Sequence, residues 1–452
     1  MPENNLTDPV RKQEIQTINV NGGHSSDSAS SGSEQQHHHH HHHHHRHHHS
    51  DKGWPRIKRK VKRFFKKHKL LPAAIGGILL VLGIAFAVTY SMLHSGSGQP
   101  AADGRDYPAA VSEPTVEIEP ITEKQVLITD IAAEFVGMRT YSERNSFMMG
   151  YIQKGERQDK SLPVHLEFRI MAPLGNAVSG VRVMLSEHDD MSDSRVFELG
   201  AVKRSVDVDL LKTNTKYYYK VTASFTGSDP VTAKGEFETA DTPRLLSIDG
   251  IADVRDIGNI KTVEGRVIRQ GLLYRGMAPC DPKQSHYRIT DAGLFSMLTV
   301  LGVRTDMDLR SEEDYEGFEP LGANVSHSFY NVRQYTEAME PYGMESTRRV
   351  FSDLAKPEIY PVYMHCMLGT DRTGTICALL EALLGASEED IKTDYELTLL
   401  AHSGVQRDLF EQLIGRLQSM EGNSLRQKAE RFLLDCGVTP DEIASIREIF
   451  LN

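Results

Sequence analysis

The chain has 452 residues, a formal net charge of −11 and four cysteines. That length allows two or three domains, and a composition this uneven along the chain excludes one uniform globule. The net charge selects no partner by itself, because it sums a basic segment near the N-terminus and an acidic remainder.

Residues 1–55 form a polar tail almost free of large apolar side chains, with a histidine run at His37–His45 and His47–His49. Such a segment cannot bury enough surface to fold and is expected to be disordered. Neutral imidazoles can bind zinc, nickel or copper. A low-complexity tail accounts for the run without a metal, so no metal or other cofactor is assigned. Residues 56–69 are densely basic, with Lys58, Arg59, Lys60, Lys62, Arg63, Lys66, Lys67 and Lys69. A nucleic-acid patch is one reading of such a run. The next stretch decides against it. Residues 70–93, Leu70 to Leu93, are 24 residues without a charge, long enough to cross a hydrocarbon core of about 30 Å. Acidic or small polar residues and a lone Arg105 follow. The positive-inside rule therefore predicts a cytoplasmic N-terminus and an extracytoplasmic remainder. The run is too long and starts too late for a cleaved signal peptide. A single-pass signal anchor in the cell membrane, with no nucleic-acid partner, is the expectation.

Residues 94–113 are rich in Gly, Ser and Ala and read as a flexible spacer. Over 114–242, alternating runs predict strands at Val116–Glu119, Phe147–Ile152, Val164–Ile170, Val181–Leu185, Val206–Leu210, Tyr217–Phe225 and Gly235–Thr239. Turn residues separate them and no long helix is expected among them, which makes an all-β antiparallel sandwich. The segment Leu211-x-x-x-Thr215-x-Tyr217-x-x-x-Val221 resembles the tyrosine-corner segment of fibronectin type III domains. Thr213 stands where that segment has proline, and the core tryptophan is missing, since Trp54 is the chain's one Trp. The sandwich carries no catalytic grouping. Its expected role is to hold the C-terminal half away from the membrane, or to contact cell-wall polymers or a protein partner.

Residues 245–452 change pattern. A helix is predicted at Asp291–Val300, a strand at Val303–Leu309, and amphipathic helices at Arg348–Leu354 and Ile391–Leu400. The stretch Ser311–Met344, with Tyr315, Phe318, Tyr330, Tyr335 and Tyr342, is a candidate lid. Pro361–Met364 suits a buried strand, and Thr373–Leu384 is an unbroken apolar helix pattern that stops at Gly385.

Between that strand and that helix lie His365-Cys-Met-Leu-Gly-Thr-Asp-Arg-Thr-Gly374, with five residues separating Cys366 from Arg372. A loop leading into a helix N-terminus turns its N–H groups inward, and the helix adds about half a positive charge. This makes a seat for an oxyanion with a thiol at its centre. A phosphate monoester carries close to two negative charges and hydrolyses very slowly unaided. A cysteine nucleophile can split the reaction in two if it is ionised, which helix N-termini and nearby cations favour. Arg372 can grip two phosphate oxygens with its planar fork. Met367, Leu368, Gly369 and Thr370 supply the loop's amides, Thr373 can donate to the sulfur, and His365 orients the loop. Either Asp371 or Asp308 can protonate the leaving oxygen and then activate water. Alternatively, Asp371 fixes the loop and Asp308 bonds backbone N–H groups or Arg310. Arg255 and Arg275 are secondary anion contacts or ion-pair partners of Asp253 or Asp256. Setting Cys366 aside leaves Cys280, Cys377 and Cys436, which permit no complete disulfide pairing; Cys377 reads as a small buried hydrophobe.

The block resembles the Cys-x5-Arg-Thr-Gly signature of protein tyrosine phosphatases. It is more narrowly similar to the bacterial tyrosine and phosphoinositide phosphatase family, whose loop reads His-Cys-x-x-Gly-Lys-Asp-Arg-Thr-Gly. The segments Asp253–Gly258, Gly271–Gly276, Leu301–Arg310, Asp394-Tyr395 and Gly437–Leu451 match that family in order, over Ser247 to Asn452. The resemblance implies an α/β fold with a central sheet flanked by helices and a phospho-cysteine intermediate. It implies as substrate a phosphorylated protein or a small phosphoester, with phosphotyrosine, phosphoserine, phosphothreonine or phosphoinositide as the group attacked. Thr370 replaces the family's lysine, which weighs against phosphoinositides more than against phosphotyrosine. Two other readings stay open: a rhodanese-like sulfurtransferase, and a catalytically silent receptor for a phosphorylated ligand.

Overall fold

The structure, a computed structural model, describes residues 18–19, 112–280, 288–311, 321–322 and 324–451. The expected tail (1–55), basic segment (56–69), transmembrane helix (70–93) and nearly all of the spacer (94–113) lie outside the described residues.

The first half is a two-sheet sandwich interrupted by helices. Its elements are β1 (Ile18–Asn19), β2 (Thr115–Ile118), α1 (Asp130–Gly137), α2 (Tyr141–Ile152), β3 (Val164–Met171), β4 (Val178–Ser186), β5 (Arg195–Leu199), β6 (Ser205–Val208), β7 (Lys216–Phe225) and β8 (Val231–Glu238). One sheet runs β1-β5-β4-β7-β8 and the other β2-β3-β6. Strand β7 shows why: Tyr217, Tyr219, Val221, Ala223 and Phe225 alternate inward along it, the period-2 signature of a half-buried strand. Of these, Tyr217, Tyr219 and Val221 meet Leu166, Phe168, Val183 and Phe237 in an apolar core. The expected tyrosine corner forms, with the Lys212 N–H donating to Tyr217 Oη at 2.8 Å. Thr213 explains its own departure from proline. Its N–H donates to Gln270 Oε1 at 3.0 Å, a bond that proline cannot make.

Two expectations fail here. Phe147–Ile152, expected as a strand, is the second half of α2. Thr140 starts that helix with a full capping box to Glu143, a signal that outranks an ambiguous apolar run. The sandwich stretch is therefore not free of helices, and its strand β5 is an addition to the expected set. Helices α1 and α2 serve the other half: Ala132, Phe135 and Met148 join its core rather than the sandwich's.

The second half contains β9 (Arg255–Asp256), β10 (Leu273–Gly276), α3 (Asp291–Phe295, continued by a π turn at Ser296–Val300), β11 (Thr305–Asp308) and β12 (Ser326–Phe329). Next come α4 (Pro341–Leu354), β13 (Val362–His365), α5 (Asp371–Leu384), α6 (Glu388–Glu396), α7 (Arg407–Gln418), α8 (Leu425–Asp435) and α9 (Pro440–Phe450). The sheet order is β12-β11-β13-β10-β9. The first four strands are parallel and β9 is antiparallel at the edge. Strand β13 is central and fully buried, as a continuous apolar run in a covered parallel sheet should be. Helix α5 is buried from Thr373 through Leu384 and ends on Gly385 at φ 92°, so its apolar pattern runs all round it.

The candidate lid contains regular structure. Its described part forms β12, a 3-10 turn at Tyr335–Met339 and the start of α4. Tyr330, Tyr335 and Met339 are buried in the core; residues 312–320 and 323 lie outside the described residues. Arg244 joins the halves: it donates to the carbonyls of Leu210 and Leu211 at 2.9 Å and to Asp256 Oδ2 at 2.7 Å.

Candidate active site

Strand β13 delivers Cys366 from the middle of the sheet, and α5 takes over at Asp371. Thr370, the N-cap residue, makes no side-chain cap bond, so the first amides of α5 are left to serve the loop. Gly369 sits at φ 81°, and a Cβ there would come within 2.6 Å of the Gly276 backbone. Only glycine fits that turn and that approach. The loop is tied back by Ala278 N–H to Met367 O at 3.0 Å and by Arg275 Nη2 to Gly369 O at 2.8 Å. Met367 and Leu368 remain partly exposed, whereas Cys366, Gly369 and Thr370 are buried.

His365 is fully buried. Its Nε2 lies 2.7 Å from Asp306 Oδ1 and its Nδ1 3.1 Å from Cys366 O. Both contacts are oxygen acceptors, so the ring makes both bonds only as an imidazolium. Burial opposes that charge, but Asp308 and Asp306 outweigh it and raise the histidine above its ordinary value. A cation thus sits one residue from the cysteine.

Asp308 is not a proton donor. Burial pushes its carboxyl up, yet His365, His327 and Arg310 overcome burial and hold it well below the carboxylate range. Arg310 grips it from Nε and Nη2, at 2.9 and 2.7 Å, and its N–H adds a bond at 2.9 Å. An aspartate ionised in this way anchors the strand end, which is its structural alternative. Arg275 is also relocated. It is fully buried, with Nη1 on Asp394 Oδ2 at 2.5 Å and Nη2 on Gly369 O. It props the loop from behind, with its guanidinium held by Asp394 and the Gly369 carbonyl. Arg255 pairs with Asp253 at 2.5 Å, the ion-pair alternative, and with Asp394 Oδ1 at 2.9 Å. Asp394, ionised between two arginines, is thus the keystone behind the loop.

Thr373 is buried, and its hydroxyl makes no hydrogen bond among the described residues. The expected bond to the sulfur is absent from this structure. Asp371 is partly exposed at the start of α5 and accepts a hydrogen bond from Tyr335 Oη. Arg372 lines a cleft of about 570 Å3 together with Phe329, Asn331, Arg333, Glu337 and Arg349. Thr370, at the place of the family's lysine, is buried, 3.4 Å from His402 Nε2. That histidine accepts the Gly404 N–H at Nδ1 and so offers Nε2–H to Leu368 O at 3.3 Å.

Sequence reasoning missed Asp306, His402 and the role of Tyr335. Tyr335 stood only among the aromatics of the candidate lid, and no local spacing pairs it with Asp371. Cys280, Cys377 and Cys436 are free and buried, as is Cys366. Burial pushes the Cys377 and Cys436 thiols up to about 12, which leaves both inert.

Residues 246–452 match the model of the tyrosine phosphatase family. The enzyme class this match supports is a phosphoric monoester hydrolase of the tyrosine-phosphatase type. A protein of Cupriavidus necator, inferred to be a tyrosine-protein phosphatase, is 29% identical over 175 residues. The aligned stretch covers 33% of this chain, and this chain spans 61% of that relative's length. Among solved structures, the core catalytic domain of the PP-IP phosphatase SIW14 from S. cerevisiae, in complex with citrate, is 14% identical. It covers 32% of this chain and 86% of its own, at a TM-score of 0.22. A computationally redesigned β-sandwich protein is 20% identical, covers 17% of this chain and 82% of its own, and has a TM-score of 0.14.

Proposed function

We propose that this chain is a membrane-anchored phosphatase that hydrolyses phosphotyrosine or related phosphoesters through a phospho-cysteine at Cys366. The observation that carries the proposal is the arrangement of Cys366 and Arg372 around one helix start. The cysteine leaves the central strand β13, the loop closes over the N-terminus of α5, and Arg372 opens onto a basic cleft.

In the first step the Cys366 sulfur attacks phosphorus, an S–P bond forms and the P–O bond to the leaving group breaks. The loop amides, the helix start and Arg372 balance the charge on the transferring group. Asp371 gives a proton to the departing oxygen. In the second step Asp371 takes a proton from water, the hydroxide attacks phosphorus, and the S–P bond breaks to return the thiolate. His365, as a buried imidazolium, favours the sulfur anion at both ends of the cycle. Arg333 and Arg349 in the cleft suit a substrate whose surroundings are acidic, such as a phosphorylated protein segment. The charge-free run at 70–93 and its basic flank support a single-pass anchor with the catalytic half outside the cytoplasm. The sandwich would then act as a stalk or as a contact for cell-wall polymers or a protein.

The test is hydrolysis of p-nitrophenyl phosphate by the full chain in detergent, with vanadate and a Cys366→Ser variant as controls. Phosphate release blocked by both supports the reading. Sulfur transfer from thiosulfate without phosphate release, or phosphopeptide binding without turnover, would replace it.

A further inference from the structure

We propose that Tyr335 and Tyr395 form a one-way hydrogen-bond wire that holds the Asp371 carboxyl and leaves its Oδ2 as the atom carrying the transferable proton. The inference rests on the phosphatase reading and adds two positioning residues to it.

Tyr335 Oη donates to Asp371 Oδ1, and a phenol has one proton to give. The 2.7 Å contact between Tyr335 Oη and Tyr395 Oη must then be donated by Tyr395. Tyr395 Oη in turn accepts the Gln406 N–H at 3.0 Å. A backbone N–H cannot accept, so the wire runs in one direction and ends on Oδ1. A proton placed on Oδ1 would face the Tyr335 oxygen and turn both phenols around. Tyr395 would then meet donors from two sides, with its own proton unplaced. Oδ2 is the position that leaves every bond intact.

The backbone is arranged to the same end. Tyr335 lies at φ 51°, a left-handed conformation that tyrosine rarely adopts and that neighbours must enforce. Its N–H donates to Thr375 Oγ1 at 2.7 Å, and that hydroxyl donates to Asp371 O at 2.7 Å. Tyr335 is therefore tied to Asp371 twice, through the side chain and through the carbonyl. Tyr395 is fixed by stacking on Phe410, with centroids 3.8 Å apart and planes 5° from parallel. A Cβ on Gly374 would come within 2.8 Å of the Tyr395 ring, so the last residue of the loop motif is the clearance for this tyrosine. Burial pushes Tyr395 up to about 12, and burial together with Asp371 raises Tyr335 further. Both phenols stay protonated, and so stay donors, across the working pH range.

The experiment compares wild type, Tyr335→Phe and Tyr395→Phe on phenyl phosphate, a poor leaving group, and dinitrophenyl phosphate, a good one. A positioned general acid matters in proportion to leaving-group basicity, and such acids contribute about 10²–10⁴-fold. In Tyr335→Phe, kcat/KM on phenyl phosphate should fall about tenfold or more, and the fall on dinitrophenyl phosphate should be several times smaller. Tyr395→Phe should show the same split at smaller amplitude. Equal losses on both substrates, or none, overturn the proposal, since a structural defect does not discriminate by leaving group. A second readout needs no turnover. The Tyr335 hydroxyl proton should give an exchange-protected, low-field NMR signal that shifts in Asp371→Asn and vanishes in Tyr335→Phe. If wild type hydrolyses neither ester, the phosphatase reading fails, and the wire stands or falls on that signal.

Discussion

The two halves of the molecule bury different things. The sandwich buries Leu166, Phe168, Val183, Val221 and Phe237, with few polar groups beyond Ser186, Thr213 and Thr239. The catalytic half buries Asp253, Arg255, Arg275, Asp306, Asp308, Arg310, His365, Glu381 and Asp394. Desolvating so many charges adds little net stability even when they are paired. Most of these groups converge on the loop from Cys366 to Arg372. The contrast teaches that the sandwich is built to stand, whereas the catalytic half gives up stability to fix one loop.

The contrast breaks most visibly at Asp394. Asp394→Asn leaves Arg255 and Arg275 buried with their shared charge partner gone, and breaking a buried pair costs about 3–5 kcal/mol. We expect a chain of much lower Tm, with turnover of p-nitrophenyl phosphate nearly lost in whatever folds. A near-normal melting curve with full activity would contradict the keystone role. In the sandwich, Leu166→Ala should cost about 2–5 kcal/mol through lost burial and a cavity. Because Leu166 lies in the other core, kcat of the folded variant should match wild type. A changed kcat would mean that the two halves are energetically one.

Glu381 sharpens the contrast through the pH dependence of stability. It is fully buried on α5, both carboxyl oxygens lack hydrogen-bond partners among the described residues, and burial raises it well above its ordinary value. The unfolded chain releases this proton near pH 4.5, whereas the folded chain keeps it. The folded state then binds more protons, and stability falls as pH rises above that point. Glu381→Gln removes that dependence. Its Tm should equal wild type near pH ~4 and exceed it at pH ~7; a difference that does not change with pH would refute the assignment.

The same contrast decides what the sequence could reveal. The loop from His365 to Gly374 was legible because its chemistry demands residue types at fixed spacing. Strand β7 was legible because one face is wet and one dry. Helix α2 was misread because Phe147–Ile152 is a short apolar run, and the deciding signals were the i, i+4 spacing of Phe147 and Tyr151 and the Thr140–Glu143 capping box. The network behind the loop was out of reach for a different reason. Arg255 and Arg275 meet Asp394 across more than a hundred residues, and nothing local says that an arginine faces inward. For Arg275 the sequence therefore left an anion contact and an ion pair open, and for Asp308 a proton donor and a partner of Arg310; the structure shows the ion pairs.

The central claim is that Cys366 carries the phosphoryl group, and rapid acid quenching during turnover of p-nitrophenyl phosphate tests it directly. Mass spectrometry of the quenched chain should find one phosphoryl group on the peptide holding Cys366, at higher occupancy in Asp371→Asn, where its hydrolysis is slowed. Turnover with no phosphorylated Cys366 in either protein, or turnover that survives Cys366→Ser, would contradict the account.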